Sequence, residues 1–165
     1  GAYLPPKLIL EVKDAEGNIV FTPEKYQPRQ TIPQEPAEKI LILMRAVAEV
    51  GTAKISMRNE DNAQQYGIKT GTSDRSENLF MGGGSRKYVM AIRFGHDKLK
   101  PVELPQYMKR KSRRSDLKPT GGWVVGFVFR EILDEIHSGM PVVMFSDTVE
   151  NGLAELLANY PERYK

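Results

Sequence analysis

Two amphipathic helix signals, at 36–51 and 121–138, enclose a strand-rich stretch at 64–96, and that bracketing most restricts what the chain can fold into. Pro36-Ala37-Glu38 places a proline and an acid in a first helical turn. Ile40, Leu43, Met44, Val47 and Val50 then recur at helical spacing, and Gly51 ends the run. The second helix puts Val124, Phe127, Val128, Glu131, Ile132 and Ile136 on its predicted face and ends at Gly139. Between them, Gly67–Ser73, Leu79–Met81 and Tyr88–Phe94 read as strands, with Gly82-Gly83-Gly84 as the turn that folds the last two into an antiparallel pair.

Ahead of the first helix, Leu8–Val12 and Ile19–Phe21 flank Asp14-Ala15-Glu16-Gly17-Asn18, which predicts a hairpin over 1–22. Pro23, Pro28, Pro33 and Pro36 make 22–36 an extended connector. A last helix is expected at 147–160, capped by Asp147. Hairpin, helix, three strands and helix add up to an α+β fold, an antiparallel sheet packed against helices, with no sign of a parallel core. At 165 residues the chain reads as one partial domain spanning 1–165.

Composition narrows the chemistry. There are no cysteines, and His96 and His137 are the only histidines, so neither a thiolate site nor a zinc site is expected, and no cofactor is implied. No apolar run reaches the ~20 residues of a membrane span. Residues 1–10 carry two prolines and no basic segment of the secretory-signal kind. A chain opening on Gly-Ala rather than Met reads as part of a longer or processed polypeptide. Lys109, Arg110, Lys111, Arg113 and Arg114 form a basic run without interleaved aromatics. It reads as a solvated loop rather than a nucleic-acid surface.

The chemistry-bearing motif is Lys69-Thr70-Gly71-Thr72. Lys69 offers a fixed positive charge and Thr70 a hydroxyl donor to a carboxylate. Gly71 lets a peptide lie against the strand edge. Elsewhere, Glu131, Asp134 and Glu135 read as solvated acids, and Trp123 and Phe127 as core anchors.

Three blocks occur in a fixed order: Leu43–Ala53 with its Gly51-Thr52-Ala53 end, Gly67–Ser73 continuing to Phe80-Met81-Gly82, and Gly121-Gly122 followed by Phe129-Arg130-Glu131. Together they resemble the C-terminal half of the transpeptidase domain of class A, bifunctional penicillin-binding proteins. The hairpin opening Pro6-Lys7-Leu8 is similar to the segment preceding these blocks, so the resemblance covers most of the chain. It implies a penicillin-binding, serine β-lactamase-like fold and D,D-transpeptidation of peptidoglycan stem peptides through a serine acyl-enzyme that β-lactams also form. Lys69, Thr70, Gly71 and Thr72 would bind the substrate carboxylate, and the Thr72 N–H would be an oxyanion-hole donor. The implied location is extracytoplasmic, in a membrane-anchored parent.

The family's Ser-x-x-Lys and Ser-x-Asn both precede its Lys-Thr-Gly strand. Here Ser115-Asp116-Leu117-Lys118 and Ser76-Glu77-Asn78 follow it, and Val125-Gly126-Phe127 stands where Ala-Ala-Pro is usual. The nucleophile and base are therefore expected in an N-terminal transpeptidase segment outside these residues, and the chain alone is expected to be inactive. The alternative is a non-catalytic module that binds a peptide or protein along a strand edge. An unpaired edge also favours homo-oligomers.

Overall fold

The computed structural model describes residues 1–58, 64–104 and 118–161. The basic run 109–114, Ser115 and part of the polar approach at 61–65 lie outside them. The fold is mixed α+β, with small antiparallel sheets packed against helices. The chain divides into two compact units, Gly1–Glu38 and Lys39–Lys165.

In the first unit, strand β1 (Ala2–Tyr3) pairs with β4 (Arg29–Gln30), and β2 (Val12–Lys13) pairs with β3 (Ile19–Phe21), both antiparallel. The expected hairpin is present but shorter. Its first strand starts at Val12 rather than Leu8, because β3 is three residues long and offers nothing opposite Leu8–Leu10. The expected connector 22–36 contributes β4.

Asp14 organises the hairpin turn. Its Oδ1 accepts from the Asn18 N–H (2.8 Å) and the Glu16 N–H (3.1 Å), and its Oδ2 from the Asn18 side-chain amide (3.0 Å). Gly17 supplies the left-handed backbone this turn needs, at φ 87°. The hydrogen bonds from Asn18, side chain first and backbone second, hold the Asp14 carboxyl below the usual aspartate value. A carboxyl whose folded pKa is lowered stabilises the fold at neutral pH and stops doing so as pH falls through that folded value. The Asn18 amide resonance should therefore titrate with a midpoint below that of a free aspartate, and Asp14→Asn should abolish the titration. A midpoint at the free value would remove Asp14 as the organiser.

The second unit carries the core. Helix α1 (Gln34–Glu49), part of this unit from Lys39 onward, is followed by the short α2 (Lys54–Met57) and by strands β5 (Gly67–Thr72), β6 (Asn78–Gly84) and β7 (Val89–Gly95). These three strands form one antiparallel sheet in the order β5-β6-β7. A π-helical turn, Gly121–Val125, opens α3 (Gly126–Ile136), and α4 (Asp147–Ala158) closes the described chain. Ile68, Leu79 and Met81 on one sheet face meet Val124, Val125, Phe129 and Leu133, with Ala53 and Met57 beside them. Each fully buried side chain of this size contributes about 1.5–3 kcal/mol.

Four expectations are corrected here. The triple glycine is no turn: it lies inside β6, and the turn falls at Ser85–Tyr88, where the Ser85 hydroxyl accepts from the N–H groups of Lys87 and Tyr88 (3.1 Å each). Glycine is needed in the strand for close approach and backbone shape. Gly83 has φ 142°, and a Cβ there would sit 2.1 Å from the Gly67 carbonyl oxygen.

The α3 face is rotated: Phe129, Leu133 and His137 are buried, while Glu131, Ile132 and Ile136 face outward. The Gly126 N–H bonds to the Gly121 carbonyl, so the opening turn holds one residue more than an α-turn. That residue advances every later position by roughly 100°.

On α1, the exposed side carries Ile40 and Leu43, while Arg45 and Ala48 are buried. At the last helix the cap position is Ser146, not Asp147, which is already in the first turn.

Candidate functional site

Strand alternation sets the two faces of β5. Ile68 is buried and its neighbour Lys69 exposed, so Ile68, Thr70 and Thr72 belong to the core face and Lys69 and Gly71 to the outer one. The register places Lys69 opposite Gly82, Gly71 opposite Phe80 and Thr72 opposite Leu79. Just beyond, the Ser73 N–H donates to the Asn78 carbonyl (2.9 Å). Hydrogen-bonded pairs alternate along an antiparallel ladder. The backbone N–H and C=O of Thr70 and Thr72 therefore point away from β6, towards the edge of β5 that no described strand covers.

The three sequence blocks meet on this strand. Thr52, just past α1, has its hydroxyl oxygen 2.8 Å from that of Thr70. The Gly121 N–H donates to the Thr72 hydroxyl oxygen (3.0 Å). Ser56 of α2 donates to the Gly122 carbonyl, and a Cβ on Gly122 would lie 2.4 Å from the Thr52 carbonyl oxygen. The two glycines are thus required by contact: the backbone of the π-turn rests directly on β5 and on the Thr52 segment, where a side chain has no room. Arg130 on α3 ties the same region from behind, donating to the carbonyls of Ser56 (3.1 Å) and Arg58 (3.0 Å) at the end of α2.

On the outer face, Lys69, Gly71, Phe80, Gly82, Ala91 and Arg93 line an open depression of about 550 Å³ to which Met44 also contributes. Lys69 is exposed, and its ammonium folds back to donate to the Thr70 carbonyl. Arg93 is held by the Asn78 side-chain oxygen (2.9 Å). Two cations therefore share the depression with Phe80 and the small residues Gly71, Gly82 and Ala91, while the Thr70 and Thr72 N–H groups line the adjacent edge. Such an edge can accept an extended peptide backbone, and the nearby charge favours an anionic end group.

The Ser-x-Asn and Ser-x-x-Lys sequences that follow the Lys-Thr-Gly strand fare differently. Ser76 sits in the turn before β6, 8% exposed and at φ 55°, with its carbonyl accepting from the Val102 N–H (2.9 Å). With Asn78 bound to Arg93, this Ser-x-Asn belongs to the β5–β6 turn and its anchoring. Of Ser115–Lys118, only Lys118 is described.

Sequence reasoning missed three arrangements. Asp134 is not simply solvated: it accepts from the Tyr66 hydroxyl (2.7 Å). His137 is buried, with Nδ1 2.7 Å from the Leu133 carbonyl and Nε2 2.9 Å from the Ser85 hydroxyl. A carbonyl only accepts, so Nδ1 carries the proton and the Ser85 hydroxyl donates to Nε2. With the rings of Tyr66 and Tyr88 packed edge-on against it, this Ser–His pair is a satisfied core contact closed to substrate. The third is Thr52, whose only sequence signal was its place directly after Gly51 in the first block.

Phe127 and Trp123 are half-buried at the core margin, and Phe129 takes the central place. Among the described residues no group of three His, Asp or Glu side chains could hold a metal ion, and no helix is long and apolar enough to cross a membrane. No family model matches the chain, and no curated protein matches it in sequence.

Proposed function

We propose that this chain supplies the carboxylate-binding strand of a D,D-transpeptidase that cross-links peptidoglycan stem peptides outside the cytoplasmic membrane. One observation carries the reading: Gly51-Thr52-Ala53, Lys69-Thr70-Gly71-Thr72 and Gly121-Gly122, far apart in sequence, converge on β5 and leave its edge open. In this reading the Lys69 ammonium and the Thr70 hydroxyl bind the terminal carboxylate of a D-alanyl-D-alanine peptide lying along the edge. The Thr72 N–H is one oxyanion-hole donor. The serine nucleophile, its lysine base and the second donor come from polypeptide outside residues 1–165. A β-lactam would occupy the same edge.

Two measurements test this. Intact-mass spectrometry after incubation with a reactive β-lactam should leave the mass of this chain unchanged, whereas a covalent adduct would put the nucleophile within it. N-acetyl-D-alanyl-D-alanine should shift the amide resonances of Thr70 and Thr72. Lys69→Ala should weaken that binding about tenfold to a hundredfold, the worth of a hydrogen bond to a charged group. A peptide that shifts no β5 resonance sinks the carboxylate reading.

The open β5 edge equally favours a second reading, a transpeptidase-like module without chemistry that binds a partner by strand addition. Joining the chain to a segment with Ser-x-x-Lys and Ser-x-Asn separates the two. A β-lactam adduct that Lys69→Ala suppresses supports the enzyme, and a joined protein that never acylates supports the module.

A further inference from the structure

Thr52 brings a hydroxyl to the motif that the reading above does not use. Its oxygen lies 2.8 Å from the Thr70 oxygen, and either can be the donor. Each hydroxyl has one proton to give and two lone pairs to accept with. If Thr70 gives its proton to Thr52, it turns only lone pairs towards an anion. If Thr52 donates instead, Thr70 keeps its proton for that anion. A carboxylate at Thr70 selects the second arrangement. The chain from Thr52 through Thr70 to the carboxylate is then polarised in one direction, each hydrogen bond strengthening the next.

The Thr70 side chain is also restrained on its other branch. Its methyl carbon lies 3.2 Å from the position a Cβ on Gly122 would take, so the π-turn backbone packs closely against it. With the methyl against Gly122 and the oxygen against Thr52, the rotamer is fixed and only the direction of the proton remains free. Thr52 itself is exposed, within the short segment between α1 and α2.

We propose that Thr52 is a positioning residue of this site, orienting the Thr70 hydroxyl so that it donates to a ligand carboxylate. The proposal rests on the carboxylate-binding reading of β5. Thr52 touches no ligand and acts through Thr70 alone. Its removal therefore weakens a ligand that ends in a carboxylate and spares the same ligand ending in a neutral amide, which accepts a weaker bond from Thr70.

The test uses the whole chain, isotopically labelled, as parent, Thr52→Val and Thr52→Ser. Thr52→Ala replaces the valine variant if the second methyl disturbs Gly122. In the free protein, three-bond couplings from the Thr70 methyl carbon to its backbone N and C′ report the rotamer, which should be single in the parent and averaged in Thr52→Val. N-acetyl-D-alanyl-D-alanine and its C-terminal amide are then titrated into each. Thr52→Val should weaken the acid about five- to tenfold and leave the amide unchanged, and Thr52→Ser should restore the acid. A purely structural role would lower both ligands together.

A Thr70 rotamer that stays single in Thr52→Val, with parental affinity for the acid, overturns the proposal. A rotamer that responds to Thr52 in a parent chain unable to tell acid from amide overturns the carboxylate reading beneath it. The two failures are thereby told apart.

Discussion

Gly121→Ala is expected to cost about 3 kcal/mol or more, at the upper end for forced overpacking. A Cβ at Gly121 would lie 2.3 Å from the carbonyl oxygens of both Gly71 and Phe80, and 3.1 Å from the Phe80 nitrogen. These are backbone atoms of paired strands, so neither can yield without opening the ladder between β5 and β6. For a chain of this size such a loss lowers the melting temperature by roughly 6–12 °C. The matched control is Gly82→Ala on the outer face, where the nearest atom is the Met90 carbonyl oxygen at 4.0 Å. That change should stay within about 0.5 kcal/mol. Thermal unfolding by circular dichroism decides the matter. If both variants melt with the parent, the π-turn does not rest on the sheet as described. Gly121 also donates to Thr72, so the same variant should move the Thr72 resonances even below its melting point.

How much of this was legible beforehand depended on whether a signal was local. The strand Tyr88–Phe94 and the β5 motif were readable from a few consecutive residues, and so was the Asp14–Asn18 turn. The α+β class followed from their order. The triple glycine was misread because its local signal is ambiguous: glycine marks turns and also strands that another backbone approaches closely. Only the Gly67 carbonyl, far off in sequence, decides between them. The α3 face was misread because periodicity assumes a uniform helix, and one wide turn at Gly121–Val125 shifts every residue after it.

The site was legible in part for the same reason. Lys69 through Thr72 could be named from residue type and spacing alone. The contacts holding them, Thr52 on Thr70 and Gly121 on Thr72, join positions 18 and 49 residues apart. No periodicity reports such a contact. The resemblance to a known family brought the blocks together in order, but their mutual distances come only from the fold.

Arg45 is the clearest case of a residue whose role lies wholly outside its local sequence, and Arg45→Ala should be among the most damaging single changes. Its side chain is 6% exposed, on a helix position that a charged residue normally gives to solvent. Nε lies 3.3 Å from Glu150 on α4, a partner 105 residues away, and Nη1 donates to the Tyr66 carbonyl (3.2 Å) just before β5. Gln65 extends the network, donating to Glu150 (3.2 Å) and accepting from the Phe145 N–H (3.2 Å). The guanidinium also sits 5.8 Å from the Phe145 ring centroid.

Removing one partner of a buried pair typically costs about 3–5 kcal/mol, because the other charge stays behind without compensation. Glu150 is 25% exposed, so water relieves part of that, and the lower end of the range is expected. Glu49 also pairs with Arg45 (3.1 Å) but is 46% exposed, so Glu49→Ala should cost under about 1 kcal/mol. In the double variant Arg45→Met/Glu150→Met, the loss should be smaller than the sum of the two single losses, since the only partner charge left behind is that of Glu49, which water reaches. Denaturant unfolding of the four proteins in that cycle measures the difference, and simple additivity would show that the pair is not coupled. Because Arg45 lies on the helix that leads into Thr52 and holds Tyr66, the residue that leads into β5, Arg45→Met should also broaden the Thr70 resonances. Glu49→Ala should leave them unchanged.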